Sequence, residues 1–395
     1  MDMGKATGAP EIAPIRKSDP EMLAALHGPT FVNMGKNTSE LLGAPYVALV
    51  LVDQTEVLFG ERHGFTTETT PRDSALWDRV LTTDEVVVIE DADADPDFAD
   101  EGLTVGGLRV RFFAARVIHS ASGDRIGAYC IAGPDPRVPD ASVVSTVAEL
   151  SRFIEDELGK QHDLLRVAEV QRALLPKTVP PLPGYQVAGL CLPAQAAGGD
   201  FYDWYAIESG LAFTLADVMG KGVAAAILAA TVRATVRSAS RKKNVLAGVE
   251  RAADALAHDL DETQSFVTLF HARLEAETGR FSYVDAGHGL TLLVSADGSH
   301  RRLKGGDLPL GIALSGHRRS RHRAVLEEGC TLVTFSDGVL DLYDGSLASV
   351  DSVADIVRAA SSAQKIVEEI ARLALEGDAA DDITVLAIRR SGGPI

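Results

Sequence analysis

The sequence predicts an α+β protein in which a long helix joins two domains. In the first part of the chain, apolar strand-like runs alternate with short helical segments. Residues 139–176 then carry apolar residues at spacings of three and four, which is the period of an amphipathic helix. From residue 185 onward apolar strands dominate, and strong helical segments interrupt them. A chain of 395 residues is long enough to give each domain its own core.

The composition predicts a cytoplasmic globular protein. Hydrophobic residues make up 46% and charged residues 24% of the chain, as in folded proteins in water. No apolar stretch reaches membrane-spanning length, and residues 1–19, expected to be a disordered lead-in, lack the apolar segment of a secretory signal. The three cysteines, Cys130, Cys191 and Cys330, are far apart and fit a reduced compartment. The formal charge of −18 disfavours nucleic acid and anionic membranes as partners.

Residues 20–136 are predicted to form the N-terminal domain, an antiparallel sheet with helices. The last two strands are joined by the short turn ASGD, and the size is that of a single domain. The predicted elements are a helix at 20–43, strands at 45–53 and 56–64, a helix at 74–81, an apolar run at 85–91, and strands at 110–120 and 125–133.

Residues 137–182 are predicted to be a helical linker, which ends where three prolines stop any helix. Two interpretations of its apolar stripe remain open. The stripe pairs with the same helix of a second copy and gives a homodimer, or it packs on its own domain. The stripe weakens near residues 159–161 and then resumes. Its members are Val143, Val147, Leu150, Ile154, Leu158, Leu165 and Val170.

Residues 183–391 are predicted to form a sheet sandwich covered by helices. Runs such as AFTLADV are apolar nearly throughout, which indicates burial on both faces. Helices are expected at 222–240, at 245–260 and within 351–376, where alanine content or an apolar face favours them. The predicted strands span 185–192, 210–218, 265–275, 279–287, 290–295, 330–338 and 383–390.

Four acidic positions in this domain stand beside strands and next to glycines or other turn residues. Asp200 follows two glycines, Asp217 ends the run LAFTLADV, and Asp337 follows TLVTFS. The fourth position is the acidic pair 381–382, directly before the last strand. Carboxylates and backbone carbonyls, such as that of Val218, are the oxygen ligands that Mg²⁺ and Mn²⁺ prefer.

Spacing alone leaves two interpretations of these aspartates open. Asp-Gly pairs are common turn residues, and as caps and turns the four positions would need no ligand. Gathered in one site, they would instead suit two divalent cations about 3.5–4 Å apart, a pair that acidifies water and holds a phosphoryl oxygen. Such a site hydrolyses a phosphate ester without a protein nucleophile. On spacing alone the turn interpretation is the simpler one.

The motifs around these aspartates resemble those of the SpoIIE/RsbU-type serine/threonine phosphatases, a branch of the metal-dependent PPM protein phosphatases. The resemblance covers about residues 165–391 and implies an αββα sandwich with two Mn²⁺ or Mg²⁺ ions between its sheets. The motifs, in the family's order, are AEVQRALLPKTVPPLPG (168–184), LPAQAAGGDFYDW (192–204), LADVMGKGVAAAILAA (215–230), FSDGVLDLYDG (335–345) and DDITVLAIR (381–389).

The same resemblance assigns residues to this metal site. It implies that Asp200, Asp217, Asp337 and Asp381 bind the metals, together with the backbone carbonyl of Val218. The first two aspartates are also the residues expected to be catalytic. For the last position, the first acidic residue of the pair is favoured because the residues after it match the family's pattern better.

Other residues near these motifs leave alternatives open. Asp382 is the alternative ligand of the acidic pair, and Asp203 lies three residues after the first aspartate. Lys221 could meet a phosphate, although a solvated turn lysine is the simpler interpretation. His288, in the motif DAGHG, shapes the rim of the site or is a satisfied structural histidine. Met219 stands where the broader PPM class has a histidine that protonates the leaving group, so no protein acid is assigned.

Residues 20–136 resemble a GAF domain, a resemblance that implies an unknown small ligand or signal. Cys130 lies in a predicted core strand, so a covalently attached bilin is not expected. The acidic run 91–102 is not an EF-hand loop, because Pro96 and Gly102 stand where glycine and a bidentate glutamate are required. The resemblance rests on PYVALVLVD (45–53), TPRDSALWDRVL (70–81), VVVIEDADADPDFAD (86–100) and VRFFAARVIHSASGDRIGAYCIAG (110–133).

Together the two resemblances imply a regulated phosphatase. The GAF domain would receive a signal, and the PPM domain would remove phosphate from phosphoserine or phosphothreonine. By resemblance the substrate is a phosphorylated STAS-domain protein, an anti-sigma factor antagonist whose dephosphorylation releases a sigma factor by partner switching. The alternative is a non-catalytic binding regulator built on the same folds. The aspartates kept at all four positions count against that alternative.

Overall fold

The computed structural model shows two compact units, which meet within the linker helix between residues 163 and 164. The lead-in at 1–19 and the first part of the helix expected at 20–43 lie outside the described residues. No described helix has the length and apolar character needed to cross a bilayer. The structure describes residues 30–395 except 241–243, 304, 313, 315–317, 378–379 and 393–395.

The first unit is built on a six-stranded antiparallel sheet. Its helices and strands are α1 (Met34–Leu42), β1 (Tyr46–Val52), β2 (Glu56–His63), β3 (Thr69–Pro71), α2 (Ser74–Leu81), β4 (Val87–Ile89), β5 (Leu103–Val105), β6 (Leu108–Val110), β7 (Phe112–His119) and β8 (Arg125–Gly133). The strand order in the sheet is β3-β2-β1-β8-β7-β4, and β5 and β6 form a separate hairpin. The Asp73 carboxylate caps α2 by accepting from two backbone N–H groups of its first turn.

The linker helix, α3 (Ala141–Leu174), is continuous through Gly159, where the apolar stripe weakens. Its first half carries the predicted stripe, and Val147 and Ile154 are fully buried there against strands of the first unit. This part of the stripe therefore packs on its own domain, as in the second of the two interpretations, whereas Val170 is 62% exposed. Apolar exposure lies mainly further along the same helix.

The second unit contains two five-stranded antiparallel sheets and five helices among the residues that the structure describes. The elements are β9 (Tyr185–Leu192), β10 (Phe201–Ile207), β11 (Gly210–Val218), α4 (Val223–Ala239), α5 (Val245–Glu262), β12 (Val267–Glu275), β13 (Arg280–Ala286), β14 (Thr291–Val294), β15 (His300–Arg302), β16 (His322–Val325), β17 (Thr331–Phe335), α6 (Gly338–Asp341), α7 (Val350–Ala359), α8 (Ala363–Glu376) and β18 (Ile383–Arg390). The sheets have the orders β10-β11-β12-β13-β16 and β15-β14-β17-β18-β9.

Three layers of apolar contacts hold this unit together. A core between the sheets includes Phe213, Phe270 and Leu386. A second core lies between the first sheet and α4 and α5, and a third between the other sheet and α7 and α8. The predicted αββα sandwich is confirmed, because each sheet is covered by sheet on one face and by helix on the other.

Several strands of the fold were not predicted from the sequence. β10 begins within the motif GGDFYD and continues to Ile207; the aspartates of the motif suggested a ligand site, and the strand was not predicted. β15 and β16 are short, polar edge strands of sequence HRR and HRAV, which carry no apolar alternation. In the first unit, β3 and the hairpin β5–β6 are three-residue strands, below the length at which a pattern becomes visible.

Candidate metal centre

The four predicted acidic positions lie at one end of the sandwich. β10 pairs Phe201 with Ala216 of β11, so Asp200 and Asp217 stand at the same end of neighbouring strands in the first sheet. Phe335 of β17 pairs with Val385 of β18, so residues 337 and 381 occupy the corresponding end of the second sheet. The two groups approach each other, because Asp382 accepts from the backbone N–H groups of Gly199 and Asp200 at 2.8 and 3.4 Å.

Asp200 is a buried carboxylate with an unused oxygen. The residue is 2% exposed, and its Oδ2 has no hydrogen-bond partner among the described residues. Burial and then the charge of Asp217 raise the pKa of Asp200, while the hydroxyls of Thr384 and Ser336 act in the opposite direction. A buried carboxylate oxygen without a donor is costly, and a bound cation would satisfy it.

Asp217 also has a raised pKa, for the same two reasons as Asp200. Burial first, and then the charges of Asp337, Asp381 and Asp382, raise the pKa of Asp217 to about 7. Carboxylates that lie close together repel one another, which makes each of them harder to ionise. A divalent cation bound among them would replace this repulsion by attraction. The donor set therefore fits one or more hard divalent cations.

Glycines bring backbone close to these carboxylates. A Cβ atom on Gly198 would collide with the carboxylate of Asp382, and one on Gly199 would collide with the carbonyl oxygen of Val218. The Val218 N–H in turn donates to the Gly199 carbonyl at 3.3 Å. The carbonyl that the sequence singled out as a ligand thus lies against the loop that carries Asp200.

Asp381 and Asp382 differ in how their oxygens are used. Asp382 is 5% exposed, and it accepts from the Ala194 N–H at 2.8 Å with one oxygen and from the Gly199 N–H at 2.8 Å with the other. Asp381 is half-buried, and one of its oxygens accepts from the Asp382 N–H at 2.9 Å. Asp382 is thus occupied in holding the glycine loop, and Asp381 keeps an oxygen for a cation.

Among the residues that the structure describes, no three His, Cys, Asp or Glu side chains are grouped closely enough to hold a metal ion as they stand. The carboxylates instead line an acidic site at the end of the sheets. Asp337, two residues after the end of β17, has an exposed side chain there. Water molecules would complete the coordination of an ion in such a site, as Mg²⁺ usually requires.

Asp203 does not join this group. Its side chain is 2% exposed on the face of β10 that α4 covers, where it accepts from Arg237 at 2.8 Å and from Arg233 at 3.4 Å. Phe201, on the same face, packs in the core beneath α4 and α5, whereas Tyr202 packs between the sheets. The weaker assignment of Asp203 to the metal site is therefore corrected: it is a buried ion-pair partner.

Lys221 and His288 occupy different positions relative to the acidic group. Lys221 is exposed, and its Nζ donates to the Ala380 carbonyl at 3.3 Å, next to the acidic pair. His288 is buried, and its Nε2 lies 3.0 Å from Thr334 Oγ1. Burial lowers the pKa of His288 to about 4, so the ring is neutral at pH 7. The structure supports the alternative of a satisfied structural histidine.

Two residues near the site were missed in the sequence. Ser336 links the ends of β17 and β18, because its Oγ donates to the Asp382 carbonyl at 3.0 Å and accepts from the Thr384 N–H at 2.8 Å. Gln171, near the end of α3, bonds to the backbone of Gly198. Ser336 could have been found from the sequence, because it directly precedes one of the four aspartates. Gln171 could not, because a glutamine on an amphipathic helix does not by itself indicate a site.

Family models match both halves of the chain. Residues 208–391 match the model described as stage II sporulation protein E, SpoIIE. Residues 35–158 match the GAF domain model, a range that runs into the linker helix. The order of the two matches is the order expected from the motifs.

Individual relatives agree with these matches. The chain is 28% identical over 254 residues to phosphoserine phosphatase RsbU of Bacillus subtilis, covering 60% of this chain and 72% of RsbU. It is 25% identical over 264 residues to protein IcfG of Synechocystis sp., covering 58% of this chain and 42% of IcfG. It therefore spans less than half of the second relative.

A solved structure supports the fold of the second unit. The PP2C domain of SiaA from Pseudomonas aeruginosa matches with a TM-score of 0.50 at 23% identity, covering 61% of this chain and 98% of that domain. The chain therefore consists of a GAF domain followed by a domain of the SpoIIE family, and the second domain belongs to the PPM class of serine/threonine protein phosphatases.

Proposed function

We propose that the second unit holds two Mn²⁺ or Mg²⁺ ions and uses them to hydrolyse phosphoserine or phosphothreonine. Asp200, Asp217, Asp337 and Asp381 are the proposed side-chain ligands, with the carbonyl of Val218. The observation that carries the proposal is the buried Asp200 oxygen without a partner among the described residues, next to Asp217, which in turn lies near Asp337 and Asp381. Phosphatases of this class are metal-dependent, and the donor set supports hard cations.

The chain's own residues prepare the site for this chemistry. When bound, divalent cations supply Lewis acidity and offset the charge of a phosphate ester. Asp200 and Asp217 would bind the cations through their carboxylates. Asp382 holds the glycine loop in place by accepting from two of its backbone N–H groups. Met219, two residues after Asp217, is 41% exposed and carries no acidic proton, so we assign the proton of the leaving serine to solvent.

The substrate is proposed to be a phosphorylated STAS-domain protein that takes part in partner switching. The similarity to phosphoserine phosphatase RsbU, which extends over 72% of RsbU, supports phosphoserine as the target. The GAF domain is proposed to receive a small ligand or signal that controls this activity. Its position before the linker helix supports a regulatory role.

The linker helix is also proposed to form a homodimer through its second half. Four apolar residues recur there at spacings of three, three and four, a pattern typical of paired helices. Three of them are exposed by 41%, 62% and 38%, and Val167 is half-buried. They are Leu164, Val167, Val170 and Leu174. Light scattering of the full chain should give twice the monomer mass, and Val170→Glu should give the monomer; a monomeric wild type would remove this proposal.

Phosphate release with and without Mn²⁺ tests the proposed activity. Wild type should hydrolyse p-nitrophenyl phosphate and a phosphoserine STAS-domain protein with Mn²⁺ and should stop in EDTA. Asp217→Asn should lose activity by at least about 100-fold, because an amide cannot replace the carboxylate charge. Asp254→Asn is the matched control, since Asp254 is exposed on α5. Wild type without activity in Mn²⁺ would favour the non-catalytic binding regulator.

A further inference from the structure

Gln171 connects the linker helix to the loop that carries Asp200. Its Nε2 donates to the Gly198 carbonyl at 2.7 Å, and its Oε1 accepts from the Gly198 N–H at 3.1 Å. Both ends of the side-chain amide are thus engaged by the backbone of one residue, as a neighbouring strand would engage it. Gly198 and Asp200 are separated by a single residue, so the amide acts close to the proposed metal site.

The glycine loop is held from two sides. Asp382 accepts from the N–H groups of Gly199 and Asp200 at 2.8 and 3.4 Å. Gln171 holds Gly198 from the other side. Because a side chain on Gly198 would collide with Asp382, the loop has no side-chain packing of its own at that point and depends on these hydrogen bonds. Without Gln171 the polar groups of Gly198 would need water instead.

Gln171 lies on the face of α3 that packs against the sandwich. Ala168, one turn earlier, is 3% exposed, and Leu175, just past the helix end, packs against the core of the second unit. Arg172 and Ala173 are exposed on the other side. A hydrogen bond is lost when its donor and acceptor separate by more than a few tenths of an ångström. A shift of the helix by one residue would rotate its side chains by about 100° and move them by about 1.5 Å. A small shift of the helix would break the contact.

We propose that Gln171 is a positioning residue that sets the cation affinity of the site. It acts through Gly198 on the carboxylate of Asp200. The position of that carboxylate therefore depends on the position of the end of the linker helix. The inference rests on the proposed metal-dependent function. It adds a specific connection, within the second unit, between the end of α3 and the metal loop.

Two substitutions and one control separate this role from simple packing. Gln171→Met keeps the length of the side chain and removes both hydrogen bonds. Gln171→Glu keeps the acceptor for the Gly198 N–H and loses the donor to its carbonyl. An added carboxylate would by charge alone tighten Mn²⁺ binding. Glu169→Met, at an exposed position of the same helix, is the control.

Mn²⁺ titration calorimetry on the full chain is the first measurement. Gln171→Met should bind Mn²⁺ about 10–100-fold more weakly, as for other residues that orient a metal ligand, while kcat at saturating Mn²⁺ changes less. Gln171→Glu should also bind more weakly, against the effect of its charge. Glu169→Met should bind as wild type does. Unchanged Mn²⁺ affinity in both Gln171 variants would overturn the inference.

Amide hydrogen exchange on the metal-free chain is the second measurement, and it does not depend on activity. Exchange at Gly198 should become faster in Gln171→Met and not in Glu169→Met. Faster exchange with unchanged Mn²⁺ affinity would reduce Gln171 to a local structural contact and overturn the positioning role. If wild type binds no Mn²⁺ while exchange responds as expected, the proposed metal function has failed and the hydrogen-bonded contact itself stands.

Discussion

Asp200 and Asp203 lie three residues apart and are both 2% exposed, yet their surroundings differ in kind. Asp203 is bonded to Arg237 and Arg233 beneath α4. Asp200 lies between the sheets, next to other carboxylates, with one oxygen unpartnered among the described residues. Burial alone therefore does not identify a cation site in this chain. The absence of a cationic partner at the buried carboxylate is the distinguishing feature.

The acidic run of the GAF domain extends the comparison. Asp91 pairs with Arg111 at 2.5 Å, Asp93 pairs with Arg109 at 2.9 Å, and Asp95 pairs with Arg79 at 2.8 Å. Alternating aspartates there are matched by arginines from neighbouring elements, as Asp203 is. The run thus contrasts with the metal centre, where the carboxylates face one another.

Asp200→Asn should remove function and spare the fold. Phosphatase kcat/KM in Mn²⁺ should fall by at least about 100-fold, because the amide supplies no charge to a cation. In EDTA the free energy of unfolding should not fall, since the substitution removes a buried charge without a partner. Steady-state kinetics and urea unfolding in EDTA measure the two effects. A strongly destabilised variant with normal kinetics would break the comparison at its main point.

Asp203→Asn should do the reverse. Removing the charge leaves Arg233 and Arg237 without their buried partner, at a cost of about 1–3 kcal/mol of unfolding free energy. Well below the melting temperature, activity should stay within a few-fold of wild type. Urea unfolding and kinetics on the same preparation test this, with Asp254→Asn as the exposed control. Loss of Mn²⁺ binding without loss of stability would return Asp203 to the metal site.

Glu155 offers a pH-dependent test of a carboxylate with partners. Burial alone would raise its pKa, but hydrogen bonds from His119 and Arg116 outweigh it and hold the pKa of Glu155 below its usual 4.5. A carboxyl with a lowered folded pKa stabilises the fold above its unfolded pKa and loses that contribution as pH falls. Glu155→Gln should therefore cost about 1 kcal/mol at pH 7 and progressively less below pH ~4.5. A pH-independent difference in urea unfolding would contradict this.

Asp93→Asn should have the smallest effect. Asp93 and Arg109 are exposed by 39% and 66%, and ion pairs in water contribute below about 1 kcal/mol. Raising the salt concentration should shrink the difference from wild type further. Thermal unfolding at low and high salt measures it. A loss as large as that of Asp203→Asn would show that exposure does not separate the two kinds of paired aspartate.

Much of the fold could be predicted because burial on both faces leaves long apolar runs. β11 and β18 follow directly from the runs GLAFTLADV and ITVLAIRR. β10 was not predicted because Asp200 and Asp203 were interpreted as possible metal ligands, and the alternation of side chains along the residues after Asp200 was not considered. The same strand, once recognised, explains the error over Asp203: side chains alternate along a strand, so positions three apart face opposite sides.

The site could be predicted in part from the order of its aspartates. The sequence could not show which carboxylate oxygens accept hydrogen bonds and which remain available to a cation. Asp381 and Asp382 are adjacent and chemically identical, and only the backbone donors around Asp382 separate them. The role of Gln171 depends on where a helix end meets a loop 27 residues further along the chain, a contact that no local pattern encodes.

Anomalous diffraction from a crystal soaked in Mn²⁺, recorded at the manganese absorption edge, would locate the bound ions. Two peaks are expected between the sheets, within coordination distance of Asp200, Asp217, Asp337 and Asp381. None is expected at Asp203, whose arginines already satisfy it. Peaks absent from the acidic cluster, or found at Asp203, would contradict the proposed metal centre.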